Sequence, residues 1–95
     1  MVRLNDILYI QSNNNYAHFV LNDNRKILVS QTLKSFENKL QGQYFFRCHQ
    51  SFLVNLKFIQ SIDKKKDTIH LIIGDTLPIA KGKRKALMQS LEELC

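Results

Sequence analysis

The segment FRCHQSFLVN, residues 46–55, holds the densest set of side chains able to do chemistry, with Arg47, Cys48, His49, Gln50, Ser51 and Asn55 set among apolar residues. A guanidinium, an imidazole, amides and a hydroxyl are the groups that hold phosphates and read base edges. Phe45, Phe46, Phe52, Leu53 and Val54 around them can supply a buried scaffold. Thiol catalysis does not fit, because adjacent residues of a strand point to opposite faces and Cys48 cannot share a proton with His49. The alternation that sends Arg47 and His49 outward sends Cys48 inward, so it is expected to be an inert core thiol and not an oxidant sensor. No catalytic residue and no enzyme activity are expected. Cys48, His49, His18, His70 and Cys95 follow no metal-ligand spacing, and Gly42, Gly74 and Gly82 stand too far apart for a phosphate-cradling loop. Neither a metal nor a cofactor is expected.

Two further polar clusters share this chemistry. One is the asparagine run ahead of Tyr16, with Asn15 nearest and His18 just beyond; the other is Lys81, Lys83 and Arg84. His70 reads as an ordinary strand histidine, and His18 reads equally as that or as part of a site. With 14 Lys and Arg against 8 Asp and Glu, the net charge of +6 favours a polyanionic partner. The excess is uneven: residues 57–85 carry eight cations and three anions, so the second half holds the attraction.

The elements that must position these groups are mostly strands. Residues 4–11 alternate as a strand with Leu4, Leu8 and Ile10 on one side and Asn5 and Tyr9 on the other, residues 12–16 are turn formers, and YAHFVL, residues 16–21, returns as a second strand. Asn22 to Asn24 make a hairpin turn and residues 26–30 a third strand. Thr32 caps a short helix whose Leu33, Phe36 and Leu40 face the core, ended at Gly42, with Glu37 among its solvent-facing residues. An extended segment follows from Gln43, with a chain reversal near Asn55. Phe58, Ile59 and Ile62 resume a strand, DKKKD turns at residues 63–67, residues 68–73 pair back, and Gly74 and Asp75 turn again into an edge strand marked by Pro78. A terminal helix starts near Lys83 and docks through Leu87, Leu91 and Leu94. Its basic start opposes the helix dipole, as suits residues working on an anion.

The anchor segment also resembles a known family. FFRCHQSFLVNLKFIQSI is similar to the F-x-R-x-H-x-S-F/Y-x-V-N signature of the LytTR family of bacterial DNA-binding domains, with its following Ile pair at Ile59 and Ile62; LYIQSNNNY resembles the family's opening strand and turn, and GDTLPIAKGK its closing G-x-x-x-P-[VI]-[SA]-[RK] segment. The resemblance implies a mainly β fold, a LytTR-like sandwich of antiparallel sheets with a short internal helix and a C-terminal helix. It implies a bacterial transcriptional regulator, the output domain of a two-component response regulator, whose loops read direct repeats in successive major grooves of double-stranded promoter DNA. Carried over by position, the first contact falls at Asn15, Tyr16 or Ala17 with His18 adjacent, the second at Gln50 with Arg47, His49 and Ser51 as phosphate partners, and the third at Lys81, followed by Lys83 and Arg84. Gly82 stands where the family often has a second basic residue, and Ala80 replaces its common Ser.

Ninety-five residues are expected to form one domain, 1–95, able to bury roughly two-thirds of its extended-chain surface. The first strand starts so close to Met1 that we expect an excised C-terminal domain, joined in the full-length protein to an N-terminal receiver domain, with room for a dimer on DNA. No long apolar run occurs and no apolar stretch of leader type follows Met1, so a cytoplasmic protein with reduced thiols and no membrane span is expected. The rival reading is a small basic β module binding RNA or a protein partner through the same loops, for which Tyr9, Tyr16 and Tyr44 would be the candidate stacking aromatics.

Overall fold

The computed structural model describes residues 2–94. Eight strands and two helices follow in chain order: β1 (Ile7–Asn13), β2 (Tyr16–Leu21), β3 (Lys26–Val29), α1 (Leu33–Lys39), β4 (Phe45–His49), β5 (Phe52–Asn55), β6 (Ile59–Asp63), β7 (Thr68–Leu71), β8 (Thr76–Pro78) and α2 (Arg84–Leu94). A five-stranded antiparallel sheet has the order β3-β2-β1-β5-β4, and a three-stranded one the order β6-β7-β8. The mainly β fold of antiparallel sheets with two helices is therefore as the sequence indicates.

β1 lies at the centre of the larger sheet, and Ile7, Leu8, Tyr9 and Ile10 are all buried. The simple alternation read for this stretch does not hold. The β1–β2 register shifts between Ile7 and Tyr9, so Leu8 and Tyr9 both join the core under β6–β8 and α2, whereas Ile7 and Ile10 join the core under α1. A bulge of this kind inserts one residue and breaks the two-residue period. Leu4 is not in the strand either: Leu4–Asp6 is a 3-10 turn, and Leu4 is exposed.

The first core packs Val20, Cys48, Val54, Ile69, Leu71, Leu77 and Leu87 between the two sheets and α2; the second packs Ala17, Leu21, Leu33 and Leu53 against α1. Helix α1 forms as read, with the Thr32 hydroxyl accepting from the Ser35 amide at 3.2 Å. The reversal expected near Asn55 sits elsewhere. The chain turns at Gln50 and Ser51, with His49 opposite Phe52, and residues 52–55 are straight strand. Asn55 instead caps a 3-10 turn, Leu56–Phe58; its amide is 2% exposed, donates to the Ile7 carbonyl at 2.9 Å and accepts from the Lys57 amide at 3.0 Å. It is a core polar group and not part of a DNA-reading surface. Ile72 and Ile73, read as strand, lie in the β7–β8 turn. The Cys95 thiol lies outside the described residues.

Candidate nucleic-acid interface

Sheet order and chain direction bring the polar clusters to one pole. The β1–β2 turn at Asn14 and Asn15, the β4–β5 turn at Gln50 and Ser51, and the segment after β8 all lie at the same end. Main-chain bonds tie them: the Ser12 amide donates to the Ser51 carbonyl at 2.9 Å, and the Ala80 amide donates to the Cys48 carbonyl at 2.7 Å. The second bond joins the two sheets at the place where β4 ends.

The first turn is tight, with Asn13 opposite Tyr16 and Asn14 in the left-handed region at φ 56. Asparagine tolerates that conformation better than most residues. Asn15 and Tyr16 are exposed at the tip. Ala17 is buried, so of the three positions left open for the first contact it is the one withdrawn from the surface. His18 lies two residues further in, half-buried between Gln11 and Leu28 in register.

Arg47 does not project with His49. The β4–β5 register shifts between them, and Arg47 turns to α1, where its guanidinium donates to Glu37 at 2.8 Å, while its other donors reach the His49 carbonyl at 3.0 Å and the Gln50 carbonyl at 2.6 Å. A bulge beside a functional loop re-aims side chains in this way. Arg47 thus laces the backbone of the turn that presents Gln50. Sequence reasoning gave Glu37 to solvent, yet it lies four residues after Leu33 and three before Leu40, on the buried side of the helix, and that spacing was the available signal.

His49 packs toward the Phe52 ring at 5.9 Å, and its Nδ1 accepts from the Ser51 amide at 3.1 Å. A ring nitrogen that accepts carries no proton, so the neutral ring keeps its proton on Nε2, which remains available as a donor. Gln50 is exposed at the tip and Ser51 half-buried beside it. Cys48 is fully buried, and burial pushes its thiol up to about 12.

The third segment is a turn closed by the Lys83 amide donating to the Ala80 carbonyl at 3.0 Å, with Gly82 at φ +84. It scatters the three cations assigned to it. Lys81 is exposed at the tip; Lys83 borders a shallow depression that also holds Glu37 and Arg47; Arg84 donates to the Lys64 carbonyl at 2.5 Å and pairs with Asp67 at 3.3 Å. Arg84 is therefore turned toward the β6–β7 turn. Among the described residues no group of three or more His, Cys, Asp or Glu converges as metal ligands would, and no helix is long and apolar enough to cross a membrane.

A five-stranded sheet backed by a three-stranded one, with polar turns gathered at one pole, is the architecture of a small two-sheet β domain. The LytTr DNA-binding domain family model matches residues 1–92, and the chain belongs to that family. It is 28% identical over 90 residues to the transcriptional regulatory protein YpdB of Escherichia coli K12, 33% identical over 75 residues to accessory gene regulator protein A of Staphylococcus epidermidis, and 34% identical over 80 residues to the sensory transduction protein LytT of Oceanobacillus iheyensis. These matches cover 90, 78 and 79% of this chain but only 36, 31 and 32% of those proteins. The chain thus spans about a third of the length of these relatives. The LytTr DNA-binding domain of a Bacillus cereus response regulator has the same fold, with a TM-score of 0.82 and 22% identity over 95% of this chain and 84% of that one. DNA binding in transcriptional regulation is the function of the family.

Proposed function

We propose that residues 1–95 form a single DNA-binding output domain that reads direct repeats in double-stranded promoter DNA, its turns entering successive major grooves. The observation that carries this reading is the convergence of three polar turns at one pole, tied by the bonds from Ser12 to Ser51 and from Ala80 to Cys48. In this reading Asn15, Gln50 and Lys81 reach base edges, because amides pair with adenine and ammonium groups with guanine. Tyr16, His18, His49 through Nε2, Ser51 and Lys83 hold the phosphates that fix register. Arg47 holds the Gln50 turn in shape and touches no phosphate. The chain spans about a third of the length of its regulator relatives, and in this reading the domain is joined to an N-terminal receiver, with two adjacent repeats seating two copies side by side.

The RNA-binding alternative draws less support. Tyr9 is buried, and its hydroxyl donates to Asp75 at 3.2 Å. Tyr16 and Tyr44 are exposed, but Tyr44 precedes β4 and so lies at the pole opposite the turns, stacked under the Lys57 ammonium at 4.3 Å. Single-stranded RNA readers need adjacent aromatic platforms.

The test is fluorescence-anisotropy binding to a duplex selected from random sequence by this domain, against a scrambled duplex, across a salt series. A preference of about a thousandfold or more at physiological salt is expected. Gln50→Ala and Lys81→Ala should each cost about 1–3 kcal/mol on the selected duplex and little on the scramble. Failure of selection to enrich any sequence, with both duplexes losing affinity together as salt rises, would overturn specific readout.

A further inference from the structure

We propose that the β6–β7 turn, through Lys64, Lys65 and Lys66, forms a fourth contact to DNA, a sequence-independent clamp on the phosphate backbone flanking the groove that Lys81 enters. The inference rests on the proposed function and adds a surface to it.

The turn lies at the same pole as the other three. Asp63 pairs with Thr68, Thr68 with Pro78, and the Ile79 amide donates to the Asp67 carbonyl at 2.8 Å, one residue before Ala80 bonds Cys48. Asp67, Arg84 and Lys85 line one shallow depression together with Lys81 and Gly82. The lysine turn and the Lys81 turn are therefore adjacent shoulders of one surface.

A run of lysines is ordinarily a solvated tip, and two features set this one apart. First, its own carboxylates bond main-chain amides and Arg84 and not its ammonium groups. Asp63 accepts from the Lys65 and Lys66 amides at 3.0 and 3.1 Å, and Asp67 pairs with Arg84 at 3.3 Å. All three lysines are exposed, and among the described residues none lies within ion-pair distance of a carboxylate. Second, the turn is held in place from outside, since Arg84 also donates to the Lys64 carbonyl at 2.5 Å. That guanidinium links the lysine turn to the first residue of α2, two residues past Gly82, and fixes the spacing between two basic turns. A positioned set of unpaired ammonium groups fits a row of phosphates, where each neutralised charge releases a counterion.

The test compares three proteins on the selected and scrambled duplexes over a salt series. One carries Lys64→Gln, Lys65→Gln and Lys66→Gln; a second carries Arg25→Gln, Lys26→Gln and Lys57→Gln, which removes the same charge from the opposite pole; the third is wild type. The first variant should lower the slope of log affinity against log salt by about two to three, at about 0.9 per phosphate. It should weaken both duplexes by the same factor and keep their ratio. The second should leave the slope within about 0.5 of wild type, as expected for charges that touch no phosphate. An unchanged slope in the first variant, or equal changes in both, overturns the clamp while wild-type preference for the selected duplex stands. Loss of that preference in the wild type overturns the proposed function, and the clamp with it.

Discussion

Glu37 on α1 and Arg47 on β4 meet at 2.8 Å, so the residue that the family signature offers as a phosphate partner is already occupied by its own fold. Its remaining donors hold the His49 and Gln50 carbonyls. Arg47→Ala should therefore leave the salt slope unchanged and lower affinity for the selected duplex more than for the scramble, with about 1.5–3 kcal/mol lost from folding for the charged hydrogen bonds. Glu37→Gln, which keeps an acceptor, should do less of the same. A slope reduced by about one in Arg47→Ala would return the guanidinium to the phosphates.

Asn55 gives a clean stability prediction. Its amide joins β5 to β1 and caps the turn that leads into the second sheet. Asn55→Ala leaves the buried Ile7 carbonyl without this partner, at about 1–3 kcal/mol, and removes the cap from the exposed Lys57 amide. Urea unfolding should show a lower midpoint at constant slope, with DNA specificity retained in the folded fraction.

The Cys48 thiol and the Tyr9 phenol both make the fold less stable as pH rises. Burial pushes both up to about 12, and for Tyr9 the Asp75 carboxylate adds to it. A raised acid pKa means that the unfolded chain loses its proton first, so the stabilisation is whole below the ordinary thiol and phenol values, near 9.0 and 10.0, and is lost as pH climbs from there to about 12. Circular dichroism against pH should show weakening from about pH 9. Native protein at pH 8 should leave Cys48 unmodified by iodoacetamide; rapid alkylation there would reopen an oxidant-sensing role.

Gly82 adopts φ +84 with nothing within 4 Å of the position a side chain would take. Gly82→Ala should therefore suffer the backbone penalty alone, about 1–2 kcal/mol, and Gly82→Asn less. At 4–8 °C per kcal/mol the Ala variant should melt roughly 4–16 °C lower. The larger effect should fall on affinity for the selected duplex, since this turn aims Lys81.

Much of this was legible in the chain. The strand order of the hairpins, the Thr32 cap and the Leu87, Leu91 and Leu94 stripe followed from local periodicity and turn chemistry, which act within a few residues. Bulges did not. Those at Leu8 and Cys48 sit inside the β1–β2 and β4–β5 hairpins, where one inserted residue leaves no mark in residue types or spacing, and they decide that Tyr9 is buried and that Arg47 leaves the face of His49. Arg84 read as one of a basic cluster for a different reason: its partners Lys64 and Asp67 stand twenty and seventeen residues away. The family signature marked the positions of the turns; the partners of each side chain came only from the fold.

The turns at the pole are fastened to one another through amides and carbonyls, at Ser12 and Ser51 and at Ala80 and Cys48. Any non-proline residue supplies the same groups. The scaffold is thus indifferent to which side chains stand at positions 15, 50 and 81. Those three can be exchanged as a cassette, and a library varied there alone should yield domains that fold alike and prefer different DNA.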